Sequence, residues 1–395
     1  MLVKLFLGLL IFSGCFGLLP FANNTYVVLT ILGLSIFAFF NNKKKNDIFT
    51  PYIIGIFVSL ILCSVSSYYF RGQSFYYSFL GSKDFFNLLF FYYLLSLAPT
   101  KKDMETFIVL SIIIVSVAYF IQLSIFPKAL FVGASQNWIQ NSTFPYRMMY
   151  VGCYNIISFS LFFFLNKYLV QKKMIYLLCL FLPVSVLMIR GFRTMLGAAI
   201  IASIYLVVKV KGLKNISFKS SALFGILVAF LISCIYVLME NNSIVQDSLQ
   251  AIVERNDTQN FSNDDYIRLL NLNYFLHDHF QSPIEYILGS GIPTGPNNYM
   301  ENKLALFNFN YVDLGLLGLS FVGGIPLVFF ILTIWFKCFK AKVACDIFYI
   351  KSYFLYIFIV SLTDPEAYTR GCFFVQAMLM YLVSKFSINN SKDEH

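Results

Sequence analysis

The chain has 395 residues, of which 58% are hydrophobic, 19% are aromatic and only 12% are charged. This composition excludes an ordinary water-soluble domain, in which about a quarter of the residues carry a charge. It predicts an all-α polytopic membrane protein that forms one integral membrane domain over residues 1–395. The formal net charge of +10 does not indicate a nucleic-acid partner, because the basic residues divide between the two sides of a membrane.

Apolar runs long enough to cross a bilayer recur along the whole sequence. Lysine-rich segments such as 41–47 and 99–102 follow the even-numbered runs. The positive-inside rule therefore places these segments and both termini in the cytoplasm. The runs predict about 12 spans, at residues 2–20, 25–40, 51–70, 84–98, 106–126, 147–165, 174–189, 194–208, 221–239, 314–336, 347–362 and 372–386.

One long polar interval, residues 240–310, separates the ninth and tenth predicted spans and is expected to form a large external loop with short helices. A capping box at 262–265 predicts a helix that runs to about Gln281. In such a helix Arg268 and His279 share one face, and His277 lies on the opposite face. The glycines and prolines of 287–296 predict a tight, irregular path after this helix.

The two faces of the predicted membrane domain differ in their basic residues. The inner loops contain lysine, whereas every arginine lies on the external side. A preference for lysine codons would deplete arginine on both faces, so it does not explain this distribution. A guanidinium group matches two oxygens of a phosphate or carboxylate at once. The pattern therefore predicts an anionic ligand, such as a lipid-linked phosphate, at the outer membrane surface.

Structural roles compete with ligand binding at each arginine. Arg190 and Arg193 flank a short hairpin between two apolar runs. They either bind a ligand at membrane depth or extend toward the external lipid headgroups. Arg268 either contacts the ligand or forms an ion pair with Asp264 on an exposed helix.

The remaining arginines have more ordinary alternatives. Arg255 follows an amphipathic turn that is suited to the membrane surface and to headgroup contacts. Arg370 has acidic neighbours at positions 364 and 366 that are candidate structural partners. Arg71 and Arg147 stand at the ends of spans, where anchoring at the interface is the default role.

A general base for a sugar hydroxyl is expected among the external residues. His277 and His279 are candidates because histidine titrates near neutral pH. The carboxylates of Asp278, Glu285 and Asp313 are rivals. A zinc site is not expected, because the two histidine side chains diverge on a helix and no cysteine is near them.

The order of features over residues 190–320 resembles that of the Wzy-type O-antigen and capsular polysaccharide polymerases, which are similar in overall plan to the O-antigen ligases. The segments that carry the resemblance are Arg-Gly-Phe-Arg-Thr (190–194), Asp-Asp-Tyr-Ile-Arg-Leu-Leu (264–270), Leu-Gly-Ser-Gly-Ile-Pro (288–293) and Tyr-Val-Asp-Leu-Gly-Leu-Leu-Gly (311–318).

This resemblance implies a GT-C-like protein of the bacterial inner membrane that transfers a glycan from undecaprenyl pyrophosphate to another lipid-linked repeat unit. It implies no cofactor, and a chain-length regulator as a further partner. The pyrophosphate-binding role carries over to Arg193 and Arg268, and with less support to Arg190. Arg255 and Arg370 are candidates for the same ligand because of the arginine distribution. Many ligases have a histidine shortly before the span that follows the long loop, whereas residues 307–310 here read Phe-Asn-Phe-Asn.

Two other readings remain open. An O-antigen ligase of the same fold would use the same donor. A flippase or transporter for lipid-linked oligosaccharides would also have about 12 spans, although such proteins generally lack so long a loop. A purely structural protein gives no reason for placing every arginine on one face.

Overall fold

The structure is a computed structural model. It describes residues 1–12, 47–125, 151, 153–190, 193–212, 267–295, 298–301 and 310–388, with isolated positions between 30 and 38 and between 128 and 131. The second and ninth predicted spans, the capping box at 262–265 and Arg255 lie outside the described residues.

The described chain consists of helices, with one isolated bridge between Val343 and Ser387 and no strand among the described residues. Short 3-10 helices cover Lys83–Leu89, Tyr311–Leu314, Cys345–Ile347 and Pro365–Tyr368. The α-helices are α1 (Leu2–Phe12), α2 (Thr50–Arg71), α3 (Phe75–Gly81), α4 (Phe90–Leu97), α5 (Lys101–Ser124), α6 (Asn155–Gln171), α7 (Met174–Cys179), α8 (Phe181–Arg190), α9 (Arg193–Lys211), α10 (Ile267–His277), α11 (Pro283–Leu288), α12 (Gly315–Gly323), α13 (Ile325–Lys340), α14 (Tyr349–Val360) and α15 (Arg370–Phe386).

Three of the described helices are long and apolar enough to cross a membrane, namely Thr50–Arg71, Lys101–Ser124 and Thr194–Lys211. The outward faces of these helices are apolar; on α5, for example, Val117 exposes 53% of its surface. A soluble protein rarely leaves such faces in water. These features indicate an all-helical, membrane-embedded protein.

The helix ends follow local sequence signals. In α2, a proline stands at the start, where its missing N–H costs no hydrogen bond. The same helix ends at Gly72, which has a left-handed φ of 68°. In α5, Thr100 and Asp103 form a reciprocal capping box.

Several predicted spans in the described part of the chain are interrupted; the seventh, for example, divides into α7 and α8 at Leu180. The fourth begins as a 3-10 helix, Lys83–Leu89, before α4. The tenth is divided into α12 and α13 at Gly324, whose φ of 87° no helix contains. This break leaves carbonyl groups of the last turn of α12 without partners inside the helix.

The helix ends form two polar layers on opposite sides of an apolar interior. In the first layer, Lys167 pairs with Glu105 at 2.7 Å, and Lys101 pairs with Asp346. The second layer contains Arg71, Asp84, Asn155, His279, Glu285, Glu366 and Arg370. Between the layers lies an aromatic core that includes Phe90 stacked on Phe374 and Phe159 against Tyr353.

Candidate functional site

The second polar layer is built around an inserted segment, residues 282–295, which comprises α11 and the glycine-rich turn after it. Helix α11 packs against α2, α12 and α13. The backbone N–H groups of Ser290 and Gly291 donate to the carbonyl oxygens of Phe321 and Val322 at 3.0 and 2.8 Å. The inserted segment therefore satisfies the carbonyl groups that the break between α12 and α13 leaves open.

Glycine is required where the inserted segment meets the bundle. Gly291 has a φ of 89°, and a Cβ atom there would lie 2.2 Å from the Cβ of Ser67 on α2. Gly289 has a φ of 85°, and a Cβ atom there would lie 2.4 Å from the backbone nitrogen of Gly324. Only glycine combines these backbone angles with such close approach.

A buried ion pair holds the inserted segment against α2. Arg71 donates from Nε to Oε1 of Glu285 at 2.8 Å and from Nη2 to Oε2 at 3.0 Å. The two side chains are 8% and 0% exposed. Arg71 also donates to the carbonyl oxygen of His279, and the backbone N–H of Gln281 donates to Glu285 at 2.6 Å. The bidentate geometry is the strong form of this contact.

His279 lies beneath this ion pair and is 1% exposed. Its Nε2 is 2.8 Å from the Ser290 hydroxyl, and its Nδ1 is 3.3 Å from the Tyr274 hydroxyl. Burial, with a smaller contribution from the charge of Arg71, lowers the pKa of His279 to about 3. The imidazole is therefore neutral at physiological pH. It connects α10 to the inserted segment.

Two clefts open beside the inserted segment. The first, of about 210 Å³, is the Arg71 cleft, and it is lined by polar and aromatic residues including Arg71, Tyr77 and Asn298. The second, of about 230 Å³, is the Asp84 cleft, and its lining includes Asp84 and Ile292. The carbonyl oxygen of Ile292 accepts a hydrogen bond from Gln73, which lines the Arg71 cleft. The inserted segment thus forms the wall between the two clefts.

The Asp84 cleft combines a carboxylate with an arginine at its edge. Arg370 donates from Nε to Oδ1 of Asp84 at 3.2 Å, and the two side chains are 14% and 38% exposed. The cleft is also lined by Tyr311, Tyr368 and Thr369. The second carboxylate oxygen of Asp84 has no hydrogen-bond partner in the described part of the chain, so it is open to a ligand.

The start of α9, which follows the predicted arginine hairpin, belongs to the same layer. Helix α8 ends at Arg190 and α9 begins at Arg193, whose side chains are outside the described atoms. The hydroxyl of Thr363 donates to that of Thr194 at 3.1 Å, which joins the start of α9 to the segment before Arg370. The first turn of α9 therefore lies beside the Arg370 segment.

The helix predicted from the capping box differs from its prediction. It was expected to continue to about Gln281, but α10 ends at His277, and His279 leaves the helix to enter the bundle. His277 is exposed. Arg268 is half-buried and makes no hydrogen bond or ion pair with another described residue; Asp264, its alternative ion-pair partner, lies outside the described residues.

Sequence reasoning missed the central role of Arg71 and did not single out Asp84. Arg71 is one of the arginines predicted to be external, but anchoring was its expected role. Its partner Glu285 was noted only as a rival base. The two residues are 214 positions apart, and no local pattern in a single sequence joins them.

Among the described residues, no three His, Cys, Asp or Glu side chains cluster closely enough to hold a metal ion.

Comparisons with known proteins add no relative: no protein-family model matches the chain, and no curated protein matches it.

Proposed function

We propose that the chain is a polysaccharide polymerase of the Wzy type, with about 12 spans in the bacterial inner membrane, both termini in the cytoplasm and the 240–310 loop outside. It transfers a glycan from a polyprenyl pyrophosphate to a second lipid-linked repeat unit at the external face. The proposal starts from the ordered motifs over 190–320.

One structural observation gives it the most support. The start of α9, which follows the predicted arginine hairpin, and the glycine-rich turn lie in the same polar layer at one end of an apolar bundle. That layer contains two clefts, and Arg71 and Arg370 lie in it. A lipid-linked substrate requires such a polar surface next to a lipid-facing helix bundle.

The reaction needs stabilisation of a leaving diphosphate. The bond between the anomeric carbon and the phosphate oxygen breaks, and the polyprenyl pyrophosphate leaves with the bonding electrons. Fixed guanidinium groups stabilise the charge that develops there. Arg193 and Arg268 are assigned this role, because Arg71 and Arg370 already have carboxylate partners.

The acceptor hydroxyl must lose a proton as the new glycosidic bond forms. His279 was a candidate base, but it is 1% exposed and lines neither cleft. In this arrangement its ring positions Ser290 and does not reach a sugar hydroxyl. Asp84 has an open carboxylate oxygen in the larger cleft and is the base that we assign. His277 remains an exposed alternative.

The test replaces Arg268 by alanine and by lysine in the native cell and displays the surface glycans on a gel. The account predicts that Arg268→Ala abolishes long chains while single-repeat glycolipid remains, and that Arg268→Lys restores only part of the ladder, because an ammonium group lacks the bidentate fork. Arg193→Ala should give the same pattern. Loss of all surface repeat units would indicate a flippase instead, and unchanged ladders at equal protein levels would contradict both assignments.

The predicted sidedness has its own test. Leu269 is 46% exposed on α10, and the native Cys345 is exposed in the opposite polar layer. In a variant with no other cysteine, a membrane-impermeant maleimide should label Leu269→Cys in intact cells and should label Cys345 only after lysis. The reverse pattern would invert the topology and overturn the proposed function.

A further inference from the structure

The Arg71 cleft has a lining that differs from that of a phosphate site. Its residues include Arg71, Gln73, Ser74, Tyr77 and Asn298. Amide, hydroxyl and guanidinium groups stand beside two tyrosine rings, since Tyr299 also lines the cleft and lies under the Arg71 guanidinium at 5.3 Å. Such a surface offers hydrogen bonds in several directions together with flat apolar faces.

The cleft is held in shape by the inserted segment. Gln73 donates to the carbonyl oxygen of Ile292 at 2.9 Å and accepts from the backbone N–H of Thr294 at 3.3 Å. Gly295 has a φ of 94°, and a Cβ atom there would lie 2.4 Å from the ring of Tyr77. The tyrosine ring therefore packs flat against the glycine backbone. A preformed cleft loses little entropy when a ligand binds.

The charge of the cleft is balanced. The Arg71 guanidinium is the cationic group among the lining residues, and the buried carboxylate of Glu285 binds it through both oxygens. A diphosphate in the cleft would lie close to this carboxylate and would compete with it for the same guanidinium. Because Glu285 neutralises Arg71, the cleft does not favour binding of a diphosphate. The Arg71 guanidinium can instead donate a hydrogen bond to an uncharged group.

Several polar groups of the cleft remain open. Arg71 Nη1, the Asn298 amide nitrogen and the Tyr77 hydroxyl have no hydrogen-bond partner in the described part of the chain; the Asn298 oxygen already accepts from Met300 at 3.0 Å. The first two groups are hydrogen-bond donors, and the tyrosine hydroxyl can both donate and accept. Together with an aromatic face they are complementary to a sugar ring, which has hydroxyl groups around its rim and C–H groups on its faces.

We propose that the Arg71 cleft binds one uncharged sugar ring of the glycan substrate and does not bind the pyrophosphate. This inference rests on the proposed function. It assigns the glycan and the pyrophosphate of the lipid-linked substrate to two different sites. The glycan lies against the inserted segment, and the diphosphate is bound by Arg193 and Arg268. Arg71 is then a positioning residue that fixes the inserted segment and contributes one hydrogen bond to the sugar.

The test measures binding to the purified full chain in detergent. The probe is the water-soluble oligosaccharide that mild acid releases from the host's polyprenyl-linked repeat units, observed by saturation-transfer difference NMR. Asn298→Ala and Tyr77→Ala should each weaken its binding at least tenfold. Tyr69→Ala is the matched control, because Tyr69 lies on the same helix as Arg71 but is 75% exposed on its outer face; it should change binding less than twofold. Inorganic pyrophosphate in excess should not displace the oligosaccharide.

The outcomes separate this inference from the proposed function. If the wild-type chain elongates glycans and both cleft variants still bind the oligosaccharide as tightly as the wild type, the cleft assignment is overturned and the polymerase proposal stands. Displacement by pyrophosphate would also overturn the assignment. A wild-type chain that neither binds the oligosaccharide nor elongates glycans would overturn both. Asn298→Ala keeps the test valid if Tyr77→Ala unfolds, because the Asn298 side chain is half-buried in a turn.

Discussion

The buried ion pair between Arg71 and Glu285 gives the most quantitative prediction. The paired atoms are 2.8 and 3.0 Å apart, and the side chains are 8% and 0% exposed. At these distances two unit charges attract by about 5–6 kcal/mol with an effective dielectric constant of about 20. Desolvation of both groups offsets much of this attraction. Removal of one partner, however, leaves the other charge buried without compensation, at a cost of about 3–5 kcal/mol.

A double-mutant cycle measures this coupling. Arg71→Leu and Glu285→Leu should each lower the apparent melting temperature of the purified protein by on the order of 5 °C. The double variant should lose less than the sum of the two, with a coupling of about 2–3 kcal/mol, because neither charge is then left alone. Thermal unfolding followed by tyrosine fluorescence in detergent reports all four proteins. Strictly additive losses would refute the ion pair as the contact that holds the inserted segment.

The other predictions concern single residues of the same layer. The pKa of His279 falls from 6.5 to about 3 in the folded protein, so its contribution to stability is complete above pH 6.5 and is lost as the pH falls toward 3. The slope is about 1.4 kcal/mol per pH unit at most. Melting temperatures measured from pH 7.5 to 5 should decline more steeply for the wild type than for His279→Gln, and equal slopes would contradict this. Gly291→Ala should destabilise the protein by about 1–3 kcal/mol because of its positive φ and the contact with Ser67. Gly197→Ala should not destabilise the protein, since nothing lies within 4 Å of its added Cβ. Equal melting temperatures for the two variants would contradict the close packing of the inserted segment against α2. Asp84→Asn should reduce chain elongation by about 10²–10⁴-fold and cost less than about 1 kcal/mol of stability, since its ion pair is partly exposed. Undiminished elongation would exclude Asp84 as the base.

The sequence predicts the described helices best where a local signal marks both ends. The third span was expected at 51–70, and α2 covers Thr50–Arg71 because a proline begins it and Gly72 ends it. The long apolar run of α5 and its capping box are equally local. Such features depend only on residues that are close together in the chain, so they can be recognised in a single sequence.

Features that depend on contacts between the inserted segment and distant helices cannot be predicted from local sequence signals. The helix break at Gly324 leaves carbonyl groups at the end of α12 that accept hydrogen bonds from the inserted segment. His279 was assigned to a helix face because its spacing from Arg268 fits one, but its burial against Ser290 follows from a tertiary contact. The ion pair of Arg71 joins residues that are far apart in the chain. The arginine distribution does not show which arginines have carboxylate partners in the fold, as Arg71 and Arg370 do.

The most direct measurement of the central claim is polymerisation by the purified protein. The chain would be reconstituted in liposomes with the host's polyprenyl-pyrophosphate-linked single repeat units, and the products would be separated on a gel. We predict a ladder of two or more repeat units that appears without added metal and is abolished by Arg268→Ala. If folded wild-type protein leaves the single repeats unchanged under these conditions, the chain is not a polymerase.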